Sequence, residues 1–201
     1  MQIVPKKILL GFLLGLIFLS GCSNQAKLEQ DAHEYSEITV THANFAPKLG
    51  ETIAWHGPIL WSTNAIKNDA NTQAFLKQLV NSELRDKGFR LIEDEKQADY
   101  IISAAVVNVS DPHSDQIIDF FRLFPDIRES KSGLDSAEAL IGIIRRDDIE
   151  LALASEGGAN FALWRSSVIA FVLGEKVDAE VREQRYRFLT KKLMSRLPNA
   201  K

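Results

Sequence analysis

The feature that most limits how this chain can fold is its first segment, which is apolar and ends at the only cysteine. Residues 1–22 read MQIVPKKILLGFLLGLIFLSGC, where Lys6 and Lys7 precede an uncharged run of twelve residues. A positive start followed by a short apolar run is typical of a secretory signal, whereas a membrane-spanning helix needs about 20 apolar residues. A single cysteine also excludes a disulfide framework and every metal site built from several cysteines.

The signal ends in a motif that resembles the bacterial lipobox, Leu19-Ser20-Gly21-Cys22. The resemblance implies a thioether-linked lipid on Cys22, cleavage between Gly21 and Cys22, and acylation of the new amino group. We therefore predict a lipoprotein signal peptide over residues 1–21 and no cofactor besides this covalent lipid. Each buried CH₂ contributes about 0.8 kcal/mol, so two or more acyl chains anchor a domain stably. The alternative is an ordinary export signal in which Cys22 is incidental.

Ser23 follows the cysteine, where an Asp would favour retention in the inner membrane under the enteric sorting rule. The sequence therefore predicts an outer-membrane lipoprotein whose domain faces the periplasm. Removal of the signal takes two of the 24 basic residues and none of the 27 acidic ones. Because the remaining positive charge is scattered among acids, we do not expect nucleic acid to be a partner.

The mature chain divides into a polar tether over residues 22–37 and one domain over residues 38–198. The tether, SNQAKLEQDAHEYSE after Cys22, has no sustained apolar periodicity. In the domain, helical spacing of apolar residues predicts a helix over 72–87, with Asn71 as its cap and Gly88 in the left-handed position that ends it. A second helix is predicted over 175–197, with an apolar stripe of Val177, Val181, Phe188, Leu189, Leu193 and Leu197.

The remaining apolar segments are rich in β-branched residues and predict strands over 38–40, 52–55, 89–92, 99–109, 140–154 and 161–173. The glycines of residues 156–160 predict a hairpin loop between the last two strands. This order predicts an α+β two-layer sandwich, in which two helices pack on a mainly antiparallel sheet.

Four short stretches resemble the DUF4136 family of lipoproteins. They are Thr52-Ile53-Ala54-Trp55, the helix end Lys87-Gly88-Phe89-Arg90-Leu91, Ala98-Asp99-Tyr100, and Trp164-Arg165-Ser166. The closing helix before Pro198 fits the family too. Ser166 replaces the family's usual Gly, and segment 111–139 lacks the Gly- and Tyr-rich hairpin often found there. The resemblance implies a fold and a location, and it implies no reaction.

A search for chemistry gives no positive signal for catalysis or metal binding. His33, His42, His56 and His113 do not pair at the spacing of a helical metal site, and no serine-nucleophile or phosphate-loop motif is present. Asp147, Asp148 and Glu150 are interpreted as a turn or solvated face. We predict neither a catalytic nor a metal-binding residue.

Two apolar features are candidate interaction sites. The first is IIDFFRLFPDI, residues 117–127, where Phe120, Phe121 and Phe124 share a helical stripe. It is either a short helix docked on the sheet or a partly exposed patch for a partner or for lipid headgroups. The second is Trp55 and Trp61 with His56, which either close one end of the core or present an aromatic surface to a sugar or a protein.

The sequence thus predicts a membrane-attached lipoprotein with a non-enzymatic binding or envelope-assembly role, whose protein partner it does not identify. The alternatives are an envelope hydrolase with an unrecognised site and a periplasmic carrier of a small ligand. A cleft with perturbed carboxylates or a Ser–His contact would favour the hydrolase, and an enclosed apolar cavity would favour the carrier.

Overall fold

The computed structural model describes five stretches of the chain, which are residues 35–62, 70–108, 136–154, 158–171 and 178–201. All of them belong to one compact unit, Tyr35–Lys201. The first strand begins at Tyr35, so the last residues of the predicted tether, 35–37, are strand. The predicted signal peptide and the rest of the tether lie outside the described residues.

The described residues contain seven strands and three α-helices. The strands are β1 (Tyr35–Thr41), β2 (Thr52–Trp55), β3 (Leu60–Ser62), β4 (Arg90–Leu91), β5 (Tyr100–Asn108), β6 (Ser136–Arg145) and β7 (Ala162–Phe171). The helices are α1 (Ala70–Asp86), α2 (Ile149–Ala154) and α3 (Ala179–Met194). Short 3₁₀ helices cover Glu95–Gln97, Arg146–Asp148 and Gly158–Phe161.

The strands form one sheet in the order β1-β7-β6-β5-β2-β4, and β3 also pairs with β5. The three longest ladders, β1/β7, β7/β6 and β6/β5, are antiparallel. β2 and β3 are parallel to β5 and follow one another along the edge that β6 leaves free. β4 is parallel to β2. The sheet is therefore mixed.

The two long helices cover one face of this sheet. We call the apolar residues between the helices and this face the helix-side core. α1 contributes Val80 and Leu84, and the C-terminal part of α3 contributes Leu193 and Met194. The sheet contributes alternate residues of its strands, because successive side chains point to opposite faces. These sheet residues include Ile53, Ile102, Ala104, Val106, Ile141, Ile143, Trp164 and Val168.

The other face of the sheet, here the outer face, carries two smaller apolar clusters. One contains Ala105, Val107 and Leu140, with Ile38 and Val40 of β1 packed beside them. The other contains Ala54, Ala98 and Ile101 with Ile92, Ile144 and Ile149. β5 is apolar on both faces, as predicted for a central strand, and this explains why its sequence lacks polar alternation.

The predicted α+β class and two-layer architecture are confirmed, with the antiparallel ladders supplying most of the pairing. The prediction lacked β3 and the parallel pairing of β2, β3 and β4. Parallel pairing arises because the chain passes from β3 through α1 to β4, and such a crossover joins parallel strands. Within the described ranges, no helix combines the length and the apolar character that a membrane crossing requires.

The predicted strand over 140–154 is wrong in its second half. Pairing with β7 ends near Ile144, after which the chain forms a 3₁₀ turn over Arg146–Asp148 and then α2. The α2 sequence, IELALA, consists largely of strong helix formers, so local propensity decides once the ladder has ended. Asp147 and Asp148 lie in this turn, as interpreted. Part of the predicted hairpin loop is the 3₁₀ helix Gly158–Phe161.

The helix boundaries also differ from the prediction. α1 begins at Ala70, which puts Asn71 inside the first turn instead of at the cap. α3 begins after Asp178, whose carboxylate accepts a hydrogen bond from the main-chain N–H of Glu180. Val181, a member of the predicted apolar stripe, is exposed, and the buried residues of α3 all lie at or after Arg185.

Gly88 ends α1 in the predicted left-handed conformation. Its φ is 91°, and the main-chain N–H groups of Phe89 and Gly88 donate to the carbonyls of Leu84 and Arg85. This pair of bonds is a Schellman motif. A Cβ at Gly88 would lie 3.0 Å from Leu49 Cδ1 and 3.3 Å from Ala200 Cβ. The position therefore requires glycine for both its backbone conformation and its close contacts.

Replacement of Gly88 by Ala should destabilise the domain more than the same change at Gly57. Both residues have positive φ, and a left-handed alanine costs about 1–2 kcal/mol. Only Gly88 would add steric conflict, because the space around Gly57 is open. The exposed side chain of Leu49 can turn away, whereas the Cβ and the carbonyl oxygen of Ala200, both at 3.3 Å, would have to shift, which costs a further ~1 kcal/mol. Urea denaturation of the two variants measures the difference, and an equal loss would contradict this account.

Candidate functional site

The predicted aromatic site lies where β2 ends, and there Trp55 is held by two side chains of α1. The indole Nε1 of Trp55 donates a 2.8 Å hydrogen bond to Asn81 Oδ1. The ammonium of Lys77 lies 4.8 Å from the centroid of the indole ring, within cation–π range. Lys77 and Asn81 are one helical turn apart and therefore share one face of α1.

Lys77 also contacts the segment that follows β2. Its Nζ donates to the carbonyl of Gly57 at 3.2 Å. Partial burial lowers the pKa of Lys77, and the negative charge of Glu95 opposes that shift. The side chain therefore joins α1, the ring of Trp55 and the turn after β2. We call the set Trp55, His56, Gly57, Lys77, Asn81 and Glu95 the Trp55 rim.

The turn between β2 and β3 exists because this part of the chain is longer than the stretch of β5 that it runs beside. Trp55 pairs with Ile102 and Leu60 pairs with Ala105, so the chain between them contains more residues than the facing part of β5. This excess forms an outward turn that begins with the hydrogen bond from His56 N to the carbonyl of Ile102. Gly57 provides its positive φ of 68°.

His56 lies beside Glu95, with 3.0 Å between Nδ1 and Oε2. Both side chains are about 40% exposed, at 40% and 42%, so the contact contributes little to stability. A carboxylate that orients an imidazole is one part of an acid–base site. In the portion of the chain that the structure describes, however, neither side chain is hydrogen-bonded to a serine or threonine.

The structure places Trp55 and Trp61 on the same side of the sheet, where both are partly buried against the helix-side core. One face of the Trp55 indole ring is covered by the ammonium of Lys77. Stacking on that face would require Lys77 to move and to give up its bond to Gly57. The geometry of Trp55 therefore favours the packing interpretation.

The other predicted site residues do not join the Trp55 rim. His42 is exposed, and its Nδ1 accepts a hydrogen bond from the main-chain N–H of Asn44. The segment with Phe120, Phe121 and Phe124 lies outside the described residues, as do Gly21, Cys22, Ser23, His33 and His113. No group of three or more potential metal ligands occurs among the His, Asp and Glu side chains of the described stretches.

A second polar cluster, the Thr52–Asp99 clasp, joins the start of β2 to the start of β5. Asp99 Oδ2 accepts hydrogen bonds from the main-chain N–H and the hydroxyl of Thr52, both at 2.7 Å. In return, the main-chain N–H of Asp99 lies 2.9 Å from Thr52 Oγ1. These donors, the backbone N–H before the hydroxyl, lower the pKa of Asp99, and partial burial opposes the shift.

Tyr100 extends this cluster toward the loop before β2. Its hydroxyl donates to Glu51 Oε2 at 2.7 Å, and the same oxygen accepts from the main-chain N–H of Lys48 at 2.8 Å. Burial, followed by the hydrogen bond to Glu51, raises the pKa of Tyr100 to about 12. The phenol is therefore a neutral donor at physiological pH, which suits a structural role better than proton transfer.

The last residues, Ala200 and Lys201, are hydrogen-bonded beside the loop that precedes β2. Leu49 N donates to the carbonyl of Lys201, and Lys201 N donates to that of Pro47. Ala200 N donates to the carbonyl of Lys87 at 2.8 Å, next to Gly88. Three segments that are distant in sequence thus meet at one end of the sheet. Their polar groups satisfy one another, which makes this end a structural junction.

Lys77, Asn81 and Glu95 are contact residues that the sequence analysis did not predict. The spacing of Lys77 and Asn81 on one helix face could have indicated that the two act together. Nothing local relates either residue to Trp55, because α1 and β2 are brought together only by the sheet. Glu95 lies in a 3₁₀ turn whose position depends on β4 and β5.

Solved structures match this chain over most of its length. The PelC dodecamer from Paraburkholderia phytofirmans matches with 12% identity and a TM-score of 0.48, over 84% of this chain and 99% of the other. A DUF4136 family protein from Bacteroides thetaiotaomicron matches with 13% identity and a TM-score of 0.49, over 82% and 98%. The second is a member of the family that the four sequence motifs resemble. At such identities neither protein assigns a role to any residue here.

No family model matches the chain, and no curated protein matches it.

The Thr52–Asp99 clasp predicts a pH-dependent contribution to stability. Because the folded pKa of Asp99 is below the unfolded value of about 3.9, the stabilisation is complete above that value and is lost as the pH falls through the folded pKa. Asp99→Asn should cost about 1 kcal/mol at neutral pH, since the carboxylate is largely exposed. The difference in stability between the wild-type protein and this variant should shrink in acid. Urea denaturation of both proteins at neutral pH and at a pH near the folded pKa of Asp99 would measure it. An unchanged difference would contradict the assigned cause.

Proposed function

We propose that this protein is an outer-membrane lipoprotein whose domain faces the periplasm and has a non-enzymatic role in binding or envelope assembly. The observation that carries the proposal is the position of the only cysteine, Cys22, at the end of a lipobox-like sequence. A folded domain starts soon afterwards at Tyr35. Lipid at Cys22 would therefore attach this domain to a membrane.

The short distance in sequence between Cys22 and Tyr35 supports a tethering mechanism. A fully extended chain covers at most about 3.5 Å per residue, so this connection reaches no more than roughly 45 Å. The domain would then move within a thin layer next to the membrane. Confinement of this kind raises the effective concentration of the domain for partners in the same layer. Membrane attachment thereby favours weak contacts with other envelope proteins.

The candidate contact of this proposal is the apolar segment 117–127, which contains Phe120, Phe121 and Phe124. Seven of its eleven residues are apolar, inside a connection that is otherwise polar. Clustered apolar residues of this size mark protein or membrane contacts when they are accessible. The Trp55 rim is a weaker candidate, because Lys77 and Asn81 already occupy the polar and aromatic surface of Trp55.

The hydrolase alternative has one supporting observation, the contact between His56 and Glu95. Such a pair becomes catalytic only with a nucleophile or a bound water in reach. The described residues provide no hydroxyl hydrogen-bonded to His56, so we prefer the binding role. A hydrolase would lose activity in His56→Asn without loss of folding, and this variant separates the two functions.

The lipid anchor predicts that Cys22→Ala releases the protein from membranes. In cells, the wild-type chain should sediment with the outer membrane, whereas the variant should appear in the soluble fraction or retain its signal. Ser23→Ala is the matched control, since it preserves the lipidated cysteine and should stay in the outer membrane. Quantitative fractionation measures both. Full membrane retention of the Cys22 variant would overturn the anchor.

The binding role predicts a discrete crosslinked adduct in intact cells that depends on the apolar segment. Phe120→Asp combined with Phe121→Asp should abolish the adduct at unchanged abundance, because it adds two charges to an apolar contact. The control is Leu151→Asp with Leu153→Asp, two exposed apolar residues of α2 at 60% and 53% exposure. Mass spectrometry identifies the adducts.

The control pair should leave the adduct unchanged. Loss of the adduct in both double variants would contradict a specific contact at segment 117–127. Absence of any adduct from the wild-type chain would contradict the assembly role itself.

A further inference from the structure

The two edges of the sheet differ in length. One edge consists of two short strands: β4, whose two residues pair with β2, and β3, whose three residues pair with β5. The other edge is β1, a seven-residue strand that is paired with β7 on one side. In the described ranges no second strand lies beside β1. A long edge strand has a row of main-chain donors and acceptors that another strand can use.

The contacts of β1 show which of its main-chain groups face outward. The N–H of His42 donates to the carbonyl of Leu163 at 2.8 Å, and the carbonyl of Ile38 accepts from Ser166 Oγ at 3.3 Å. Main-chain groups alternate between the two sides of a strand. The even-numbered residues of β1 therefore bond toward β7. The main-chain groups of Glu37, Thr39 and Thr41 point to the open side.

Apart from one inward-pointing charge, β1 lacks the features by which edge strands avoid pairing. Its sequence, YSEITVT, has no lysine, proline or glycine, and its seven pairs with β7 run without a bulge. Its one charge is Glu37, whose carboxylate lies 3.2 Å from Ser195 Oγ and 3.4 Å from Arg196 Nε. This carboxylate is turned onto the end of α3 and is only 16% exposed. The edge is thus neutral and regular.

We propose that β1 pairs antiparallel with β1 of a second copy of this chain, in the register that places the two Ile38 residues opposite each other. The sheets of two protomers then continue into one another. The pairing depends on the geometry of β1, whereas its strength in the cell rests on the membrane attachment proposed above.

Three properties of the strand select this register. It pairs all seven residues, with Tyr35 opposite Thr41 and Glu37 opposite Thr39. The outward main-chain groups of Glu37 and Thr39 then face each other and can exchange two hydrogen bonds. A register centred on Glu37 would instead oppose two carboxylates, and like charges directly opposite each other are destabilising.

On the outer face, the side chains of the two β1 strands also fit one another in this register. Ile38 meets Ile38 in a non-hydrogen-bonded pair, in which the two Cα atoms are about 4.5 Å apart and side chains contact closely. Ser36 meets Val40. Ile38 and Val40 already pack beside Ala105, Val107 and Leu140, so this apolar strip would continue across the junction. Cross-strand β-branched pairs of this kind stabilise a sheet.

A junction of one strand pair is small compared with the roughly 1,200–2,000 Å² that stable interfaces bury. We therefore expect a dimer that forms when the protomers are concentrated on one membrane. Antiparallel pairing puts the two Tyr35 residues about 20 Å apart along the strands, because Tyr35 lies opposite Thr41 and six residue steps of about 3.3 Å separate these positions. Both connections to Cys22, each of roughly 45 Å at most, can still reach one membrane surface.

The test is disulfide trapping of the full-length protein in cells, with Ile38→Cys compared with Thr39→Cys. Two cysteines introduced opposite each other at position 38 have a Cα separation suited to a disulfide, whereas the two positions 39 are more than about 7 Å apart in this register. Mild oxidation should give a homodimer with Ile38→Cys at roughly ten times the yield of Thr39→Cys, because bridging fails beyond that distance. Mass spectrometry of the linked peptide identifies which cysteines are joined.

A second variant tests whether main-chain pairing is responsible. Thr39→Pro removes an outward N–H and keeps the main-chain donors that face β7, and proline is tolerated on the open side of an edge strand. It also removes the 3.0 Å hydrogen bond between the hydroxyls of Thr39 and Ser166. In the Ile38→Cys background it should reduce the homodimer severalfold. Resistance to proteolysis confirms that this variant is folded.

The possible results separate the proposals. A peptide in which the introduced cysteines of two Ile38→Cys chains are joined, and which Thr39→Pro suppresses, supports the paired edge. Equal trapping at positions 38 and 39, trapping insensitive to Thr39→Pro, a disulfide to a different protein, or no disulfide would each overturn it. Peptides linked through Cys22 would instead show that this cysteine is not lipidated, and so would contradict the anchor.

Discussion

The burial of β5 in the middle of the sheet is the constraint on which the rest of the structure depends. β5 pairs with β6 along all of its residues on one side and with β2 and then β3 on the other. Its side chains supply the helix-side core and the outer face alternately, and Ile102 and Val107 are fully buried on opposite sides. The strand therefore has no polar face. The two long helices are positioned by packing on one face of the sheet around β5, and the other strands by extending that sheet on either side.

The two polar clusters at the ends of β2 also have a structural role. The Thr52–Asp99 clasp fixes where β2 and β5 begin, and the Trp55 rim fixes where β2 ends against α1. In both places donors and acceptors of the chain satisfy one another. A ligand there would have to displace internal bonds, whose net value is about 0.5–1.5 kcal/mol each. Binding is therefore expected at surfaces that keep apolar side chains or main-chain groups available, such as the edge of β1.

The sequence was most informative where one local pattern decides the structure. Helical spacing and Gly88 predicted α1 and its end, and the two-sided apolar run predicted β5 as a central strand. It was least informative where the deciding contact is distant. The residues after Arg145 look apolar enough for a strand, yet no partner continues beside them and helix propensity prevails. The contacts of Trp55 with Lys77 and Asn81 exist only because the sheet brings β2 and α1 together.

β1 is also the first described element after Cys22, and this has a mechanical consequence. A pull on the chain upstream of Tyr35 enters the domain at the end of β1. If it acts along the strand, it loads all seven pairs with β7 together in shear. A pull across the strand would instead open these pairs one after another. The direction in which β1 leaves the sheet therefore determines how well the domain resists tension from the side of its tether.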